Sequence, residues 1–453
     1  MPTKTPKAAS LKAYLLAAAA VVAVSAPLPT MAAGYLLKEQ SASGQGTSFA
    51  GVTANAAGDA SAMFFNPAAM GALKSNEAVG VLSGIFPTSE GSNARATRAT
   101  RLGGGPITGN TNPGDIGMDA PIPAGYAVFA VSPDVRVGLA ITAPWGLATD
   151  YPENWVGRYH GIHSSLRTIN INPTVSYEIM PQLTLGAGLQ FQYAKARLSQ
   201  GIDFGSILAA QGAAVRPGSI DGVGEVKGDD WGFGFTAGML YEPVKGTRFG
   251  VSYRSSVSHE LDGDGKFEGV PAVPALRASF AATTAKAKVT TPDIISFGAY
   301  HELNSQWAVM ADAQWTNWSR FKELRIRYGN PLRADSLTEE HWDDSWFFAL
   351  GAAYKWNEKL TLRAGVAYDQ TPVTDQHRTP RIPDEDRYWV SLGFGYQLTD
   401  SIRTDVGYTH IFADKAKVDL RDNLTGADAF RGNLQADYKA HVDIIAVQTK
   451  ITF

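Results

Sequence analysis

The run Leu183-Thr184-Leu185-Gly186-Ala187-Gly188-Leu189-Gln190-Phe191-Gln192-Tyr193 alternates without a break. Its odd-numbered residues are apolar, and those between them are polar or glycine. Successive strand side chains point to opposite faces, so this is a strand with one greasy face and one small or polar face. The pattern recurs. Leu360, Leu362, Ala364, Val366 and Tyr368 alternate with Thr361, Arg363, Gly365 and Ala367, and Tyr388, Val390, Leu392, Phe394 and Tyr396 alternate with Trp389, Ser391, Gly393 and Gly395. A soluble sandwich alternates too. Runs of about ten residues, however, suit a tilted membrane strand better than a globular strand of five or six.

Fourteen such segments follow along the chain: 78–86, 124–132, 135–145, 169–177, 183–198, 231–241, 249–259, 288–301, 307–318, 346–354, 360–368, 388–398, 402–412 and 441–453. Short turns, as at Pro133-Asp134, Met180-Pro181, Asn304-Ser305, Asn357-Glu358 and Thr399-Asp400, alternate with long connections over 87–123, 146–168, 199–230, 262–287 and 413–440. Short periplasmic turns, long external loops and an even strand count mark an outer-membrane barrel. An unpaired strand edge in lipid leaves polar groups that cost several kcal/mol each, so a spanning sheet must close. The expected fold is an all-β, 14-stranded antiparallel transmembrane β-barrel in the cell outer membrane of a Gram-negative bacterium. Tyr177, Tyr241, Trp307, Tyr354 and Trp356 fall at segment ends, as interfacial girdles require.

The flanks agree. Lys4, Lys7 and Lys12 precede an apolar run from Tyr14 to Val24 and small residues at Ala32 and Ala33, the order of a secretory signal peptide over 1–32. Its removal takes three lysines and no acids, so the formal charge moves from -3 to -6. That acidity argues against nucleic acid as a partner. The chain has no cysteine, hence no disulfide framework and no thiolate metal site. No nucleophile elbow or His-Glu-x-x-His run occurs. No catalysis, metal or cofactor is expected. Residues 33–75 are dense in Gly, Ala, Ser and Asn, and Gly44, Gly46, Gly51 and Gly58 interrupt any regular element. The apolar cluster Met63, Phe64 and Phe65 favours a hatch packed inside the lumen over a solvated tail. Residues 76–453 form the barrel. Phe453, with Ile451, Thr449, Val447 and Ile445 on one face, looks like the C-terminal signature read by the barrel assembly machinery.

Residues 33–37 (Ala-Gly-Tyr-Leu-Leu), followed by Ser41, Ser43, Gly44 and Gly46, resemble the mature start of the FadL-type transporters of long-chain fatty acids and aromatic hydrocarbons. Asn66-Pro67-Ala68 matches the hatch motif of that family, and Trp145-Gly146-Leu147-Ala148-Thr149 matches the run ending its third strand, with Trp for Tyr. The resemblance implies passive uptake of apolar molecules: fatty acids, alkanes or aromatics. Ligand would enter an interior pocket, the hatch N-terminus would move, and exit would be sideways through a gap at a kinked third strand.

The gate residues are then Asn66, Pro67, Ala68, Pro144, Trp145 and Gly146. Proline removes a ladder donor and glycine permits a bend, which suits a kink, although the family strand has no proline at 144. Tyr35 and Leu36 are the expected contribution of the hatch to ligand binding. Phe347 and Trp389 take the inward phase of their strands and are candidate lining. The pocket arginine of the family, just after the fifth strand, is Gln200 here, so inward-facing Arg254 is the candidate carboxylate partner. Lys195 and Arg197 take the outward phase, towards lipopolysaccharide. The rival reading is a general porin for small polar solutes, which needs no hatch.

Overall fold

The computed structural model describes residues 34–421 and 430–453, so the expected signal peptide lies outside the described residues. Fourteen antiparallel strands form the wall. They are β1 (Glu77–Thr97), β2 (Ala120–Ala130), β3 (Val135–Thr142, resumed as Gly146–Asp150), β4 (His163–Met180), β5 (Leu183–Asp203), β6 (Asp221–Val244) and β7 (Thr247–Arg254, resumed as Ser258–Glu268). There follow β8 (Thr283–Thr290 and Ile294–Glu302), β9 (Trp307–Thr316 and Glu323–Tyr328), β10 (Ser336–Glu339 and Ser345–Lys355), β11 (Leu360–Asp369), β12 (Arg387–Gln397), β13 (Ile402–Ala413) and β14 (Asn433–Thr452). Each strand pairs with its neighbours in sequence, and β14 pairs with β1 from Thr452↔Glu77 to Asn433↔Thr97, which closes the sheet. Among the described residues no helix is long and apolar enough to cross a membrane; the strands do the crossing.

Several strands outrun their hydrophobic signal. The β5–β6 ladder continues to Asp203↔Asp221, inside the expected 199–230 loop. The expected loop at 262–287 is strand at both ends, because β7 and β8 pair from Ser258↔Thr290 to Gly265↔Thr283. The reason is the solvent. Beyond the bilayer the outer face meets water, so Lys227, Asp229, Asp262 and Lys286 sit on it without loss, and the apolar alternation fades while the backbone ladder goes on. Within the bilayer the alternation keeps its amplitude: Leu189, Phe233, Phe235, Leu350 and Leu392 are all exposed on the outer face.

The inner face is small or polar because the hatch lies against it. Residues 34–55 are buried throughout, in short helical turns such as Ala42–Gln45 and Val52–Ala54. A Cβ on Gly186 would strike the backbone of Ala68, one on Gly238 the side-chain oxygen of Asn66, one on Gly250 the carbonyl of Thr53, and one on Gly365 the backbone of Thr47. Polar wall residues then satisfy the hatch. Asp312 accepts from the Thr53 N–H at 3.1 Å and its hydroxyl at 2.8 Å. Gln448 accepts from Ala42 N–H at 3.1 Å and donates to Asp59 at 2.9 Å. Buried groups left unpaired would cost about 1–3 kcal/mol each. Gly250→Leu should therefore still give a heat-modifiable barrel on denaturing gels, while the amides of residues 51–55 exchange with solvent at least tenfold faster. Unchanged exchange would show that the glycine face does not seat the hatch.

Candidate functional site

The wall is interrupted between β2 and β3, where the hatch itself closes it. β2 pairs with β3 only from Gly125↔Ile141 to Ala130↔Arg136. Above that point residues 120–124 of β2 pair with β1, and Gly146–Asp150 of β3 pairs with β4. Both edges carry proline. Pro144 has no N–H, and Pro121 and Pro123 are alternate residues of β2, so they address the same side. Their ladder to β1 is continuous, which puts the missing donors on the side of β3.

The first hatch residues lie across this gap. Tyr35 O accepts from Gly146 N–H at 2.9 Å, and Leu37 N–H donates to Pro144 O at 2.8 Å. Gln40 completes the seal: its amide donates to Ala143 O at 2.9 Å and accepts from Ala143 N–H at 3.2 Å. Tyr126 of β2 donates its hydroxyl to Gln40 O at 2.8 Å. On β4, Thr168 donates its hydroxyl to Trp145 O at 2.8 Å and accepts from Trp145 N–H at 3.0 Å. A Cβ on Gly146 would lie 2.7 Å from a Leu37 methyl. Residues 35–40 thus supply the hydrogen bonds that a regular β2–β3 ladder would have made.

Above this segment is an apolar cavity of about 90 Å³, lined by Tyr35, Leu147, Leu166, Leu198, Leu261 and Phe321 among others. Tyr35 is caged by Trp318, Trp145, Phe321 and Trp342, with ring centroids 4.6 to 5.9 Å away. Its hydroxyl is buried with no hydrogen-bond partner among the described residues. The charged residues on the lining are Arg381, Glu340, Lys227 and Lys286. The two lysines pair with Glu225 and Asp262 on the outer surface. Arg381 differs. It is buried and donates to four neutral acceptors, His163 O, Ser164 Oγ, Ser199 O and Gln200 Oε1, at 2.9 to 3.3 Å. Burial, then the charge of Arg431, pushes its guanidinium down to about 10, so it remains a cation at neutral pH.

The structure brings together some of the residues singled out by sequence. Tyr35, Leu36 and Trp145 share one apolar cluster, and Leu36 bridges to Trp145. Pro144 and Gly146 border the gap. Asn66 caps Pro67–Ala72, accepting from Ala68 N–H, and its amide donates to Thr53 O and Met239 O at 2.8 and 3.0 Å, which pins the hatch to β6. Phe347, Trp389 and Arg254 lie elsewhere. Phe347 faces inward beneath Lys38, whose ammonium is 3.9 Å from the ring, and Trp389 packs edge-on against Phe49. Arg254 donates to Gln190 Oε1 and Phe64 O at 2.7 and 2.6 Å and stacks on Phe64, so its guanidinium is engaged by the hatch. Lys195 and Arg197 face outward, Arg197 against Glu225.

Arg381 was missed by sequence reasoning because it comes from the loop after β11 rather than from β5. Its contact with Gln200, 3.2 Å, is the clue that the charge absent at 200 arrives from another loop. The paired signal at the gap, Pro121 and Pro123 opposite Pro144, was legible but lay inside a stretch read as loop. His163 hydrogen-bonds Asp150 at 3.0 Å and Ser165 at 3.2 Å, the order of a hydrolytic triad. This is strand register on the outward face: Asp150 opposes His163 across the ladder, and Ser165 follows two residues later.

A closed barrel filled by its own hatch, with an apolar cavity beside a break in its wall, defines an outer-membrane channel for hydrophobic molecules. The chain belongs to the family described as outer membrane protein transport protein (OMPP1/FadL/TodX), which matches residues 21–453. It is 30% identical to the long-chain fatty acid transport protein of Escherichia coli O6:H1, over 90% of this chain and 92% of that one. It is 32% identical to the 47 kDa outer membrane protein of Pasteurella multocida, over 88% and 91%. The crystal structure of a Pseudomonas aeruginosa FadL homologue superposes with a TM-score of 0.84 at 25% identity, covering 92% of this chain and 99% of the other. The toluene transporter TodX of Pseudomonas putida shares the fold, with a TM-score of 0.62 at 18% identity over 87% and 94%. The chain is a transporter of hydrophobic molecules across the outer membrane and not an enzyme.

The geometry at Arg254 has a direct check. Arg254→Met should speed amide exchange around Phe64 and Phe65 several-fold and leave the dissociation constant of a fatty acid unchanged. A loss of affinity without faster exchange would return Arg254 to the ligand.

Proposed function

We propose that this chain takes up long-chain fatty acids by passive diffusion, gated by residues 35–40, with lateral exit into the bilayer between β2 and β3. One observation carries this reading: the same six residues contribute Tyr35 to the cavity and seal the gap in the wall. A ligand that displaces Tyr35 from its aromatic cage pulls on the hydrogen bonds at Pro144, Gly146 and Ala143. Cavity and exit then open together. Among the described residues the buried hydroxyl of Tyr35 has no hydrogen-bond partner and the Arg381 cation donates to neutral acceptors, which suits a carboxylate head. A water-filled pore finds no support, since the hatch occupies the lumen.

Lateral exit has an energetic basis. At about 0.8 kcal/mol per CH₂, a sixteen-carbon tail prefers lipid to periplasmic water by roughly 12 kcal/mol. A route that passes from the apolar cavity into the bilayer never exposes the tail.

Two measurements test this. Removing a charge-assisted hydrogen bond costs about 1.5–3 kcal/mol, so Arg381→Ala should lower palmitate uptake about tenfold or more and leave hexadecane uptake near the parent rate. An equal loss of both would make Arg381 a brace for the loops only. Gly146→Arg places a charged side chain in the gap and should stop uptake of both while the barrel stays heat-modifiable. Transport at the parent rate by this variant would replace the lateral route with passage down the barrel axis.

A further inference from the structure

Two external loops meet over the cavity. One precedes the second part of β10 and carries Glu339, Glu340, His341 and Trp342; the other follows β11 and carries His377 and Arg381. In the first loop the side chains alternate. Glu340 and Trp342 are buried and hydrogen-bonded to each other, Trp342 Nε1 donating to Glu340 at 3.0 Å, while Glu339 and His341 are exposed on the opposite face. His341 holds a left-handed backbone, with φ of 42°, unusual for a residue other than glycine. Its N–H donates to Lys322 O at 3.0 Å, which fixes the turn. The backbone of the two loops is joined by Asp343 N–H donating to Pro372 O at 2.9 Å.

This turn sets His341 against His377. The imidazole centroids are 4.9 Å apart, and one ligand atom each from Glu339, His341 and His377 all fall within 4.8 Å of one another. His377 Nδ1 lies 3.1 Å from the Thr374 hydroxyl, an outer partner that fixes the ring and leaves Nε2 to bind. We propose that Glu339, His341 and His377 form a binding site for a divalent transition metal of the zinc class. Two imidazoles and one carboxylate are a borderline-soft donor set that selects zinc, copper or nickel over calcium and magnesium. Donor atoms of a tetrahedral zinc lie roughly 3.4 Å apart, given bonds of about 2.0–2.2 Å. Glu339 and His341, both exposed, close that difference by side-chain rotation towards the fixed His377 ring, and a fourth position stays open to water.

The location gives the ion a structural role. Glu340 lines the cavity and Trp342 packs against Tyr35, while Arg381, four residues beyond His377, lines the cavity from the other loop. An ion held by both loops ties together the two parts of the roof above the ligand.

The test uses the untagged mature protein in detergent, titrated calorimetrically with zinc chloride. The parent should bind one equivalent, with His341→Ala and His377→Ala each at least tenfold weaker. His441→Ala is the control, because His410 and His441 stack on the outer face with centroids 5.7 Å apart beside Asp443. That variant should bind like the parent. Zinc should also slow amide exchange of residues 338–343 and 372–378 several-fold in the parent and not in His377→Ala. No saturable binding, or binding lost in His441→Ala and kept in His377→Ala, would overturn the assignment.

Discussion

Everything in this molecule answers to one constraint: inside hydrocarbon no backbone N–H or C=O goes unpaired. Closing the sheet from β1 to β14 meets it around the wall. At the β2–β3 gap the wall by itself does not meet it. The structure resolves this conflict from within. Residues 35–40 lend their carbonyls, N–H groups and the Gln40 amide to the broken edge, and prolines at 121, 123 and 144 reduce the number of donors that need a partner. The seal is therefore a set of ordinary hydrogen bonds made by residues 35–40 of the hatch.

The same constraint shapes the interior. A hatch buried in a barrel must have its own backbone satisfied, and it must approach the wall closely for that. Inward glycines at 186, 238, 250 and 365 bring the backbones near enough, while Asn66, Asp312 and Gln448 complete the bonding. The large inward side chains, Phe347 and Trp389, fill the space where the hatch stands further off and carry Lys38 and Phe49 against them. Arg254 thus serves the seating of the hatch, while Arg381 lines the apolar cavity.

The cavity is built mostly from residues whose strands had already passed the bilayer. Its roof comes from external loops, and this explains why charge enters it by a route that strand periodicity does not reveal. Gln200 stands where a cation was expected, and the loop after β11 reaches across to it with Arg381.

Much was legible without coordinates. Period-two alternation, loop lengths sorted by parity and the glycine-rich hatch follow from local rules, because lipid on one face and hatch on the other impose a two-residue repeat on every strand. Tyr35, Trp145 and Gly146 were also within reach, since each sits in a short motif. What the chain alone could not disclose were contacts made by residues from distant loops: Arg381 on Gln200, Arg254 turned to the hatch, and His341 beside His377. The physical reason is that strand register is repeated at every residue and leaves a periodic trace, whereas a loop contact is made once. It depends on where the closed barrel happens to bring two loop tips, and that position exists only after all fourteen strands have paired.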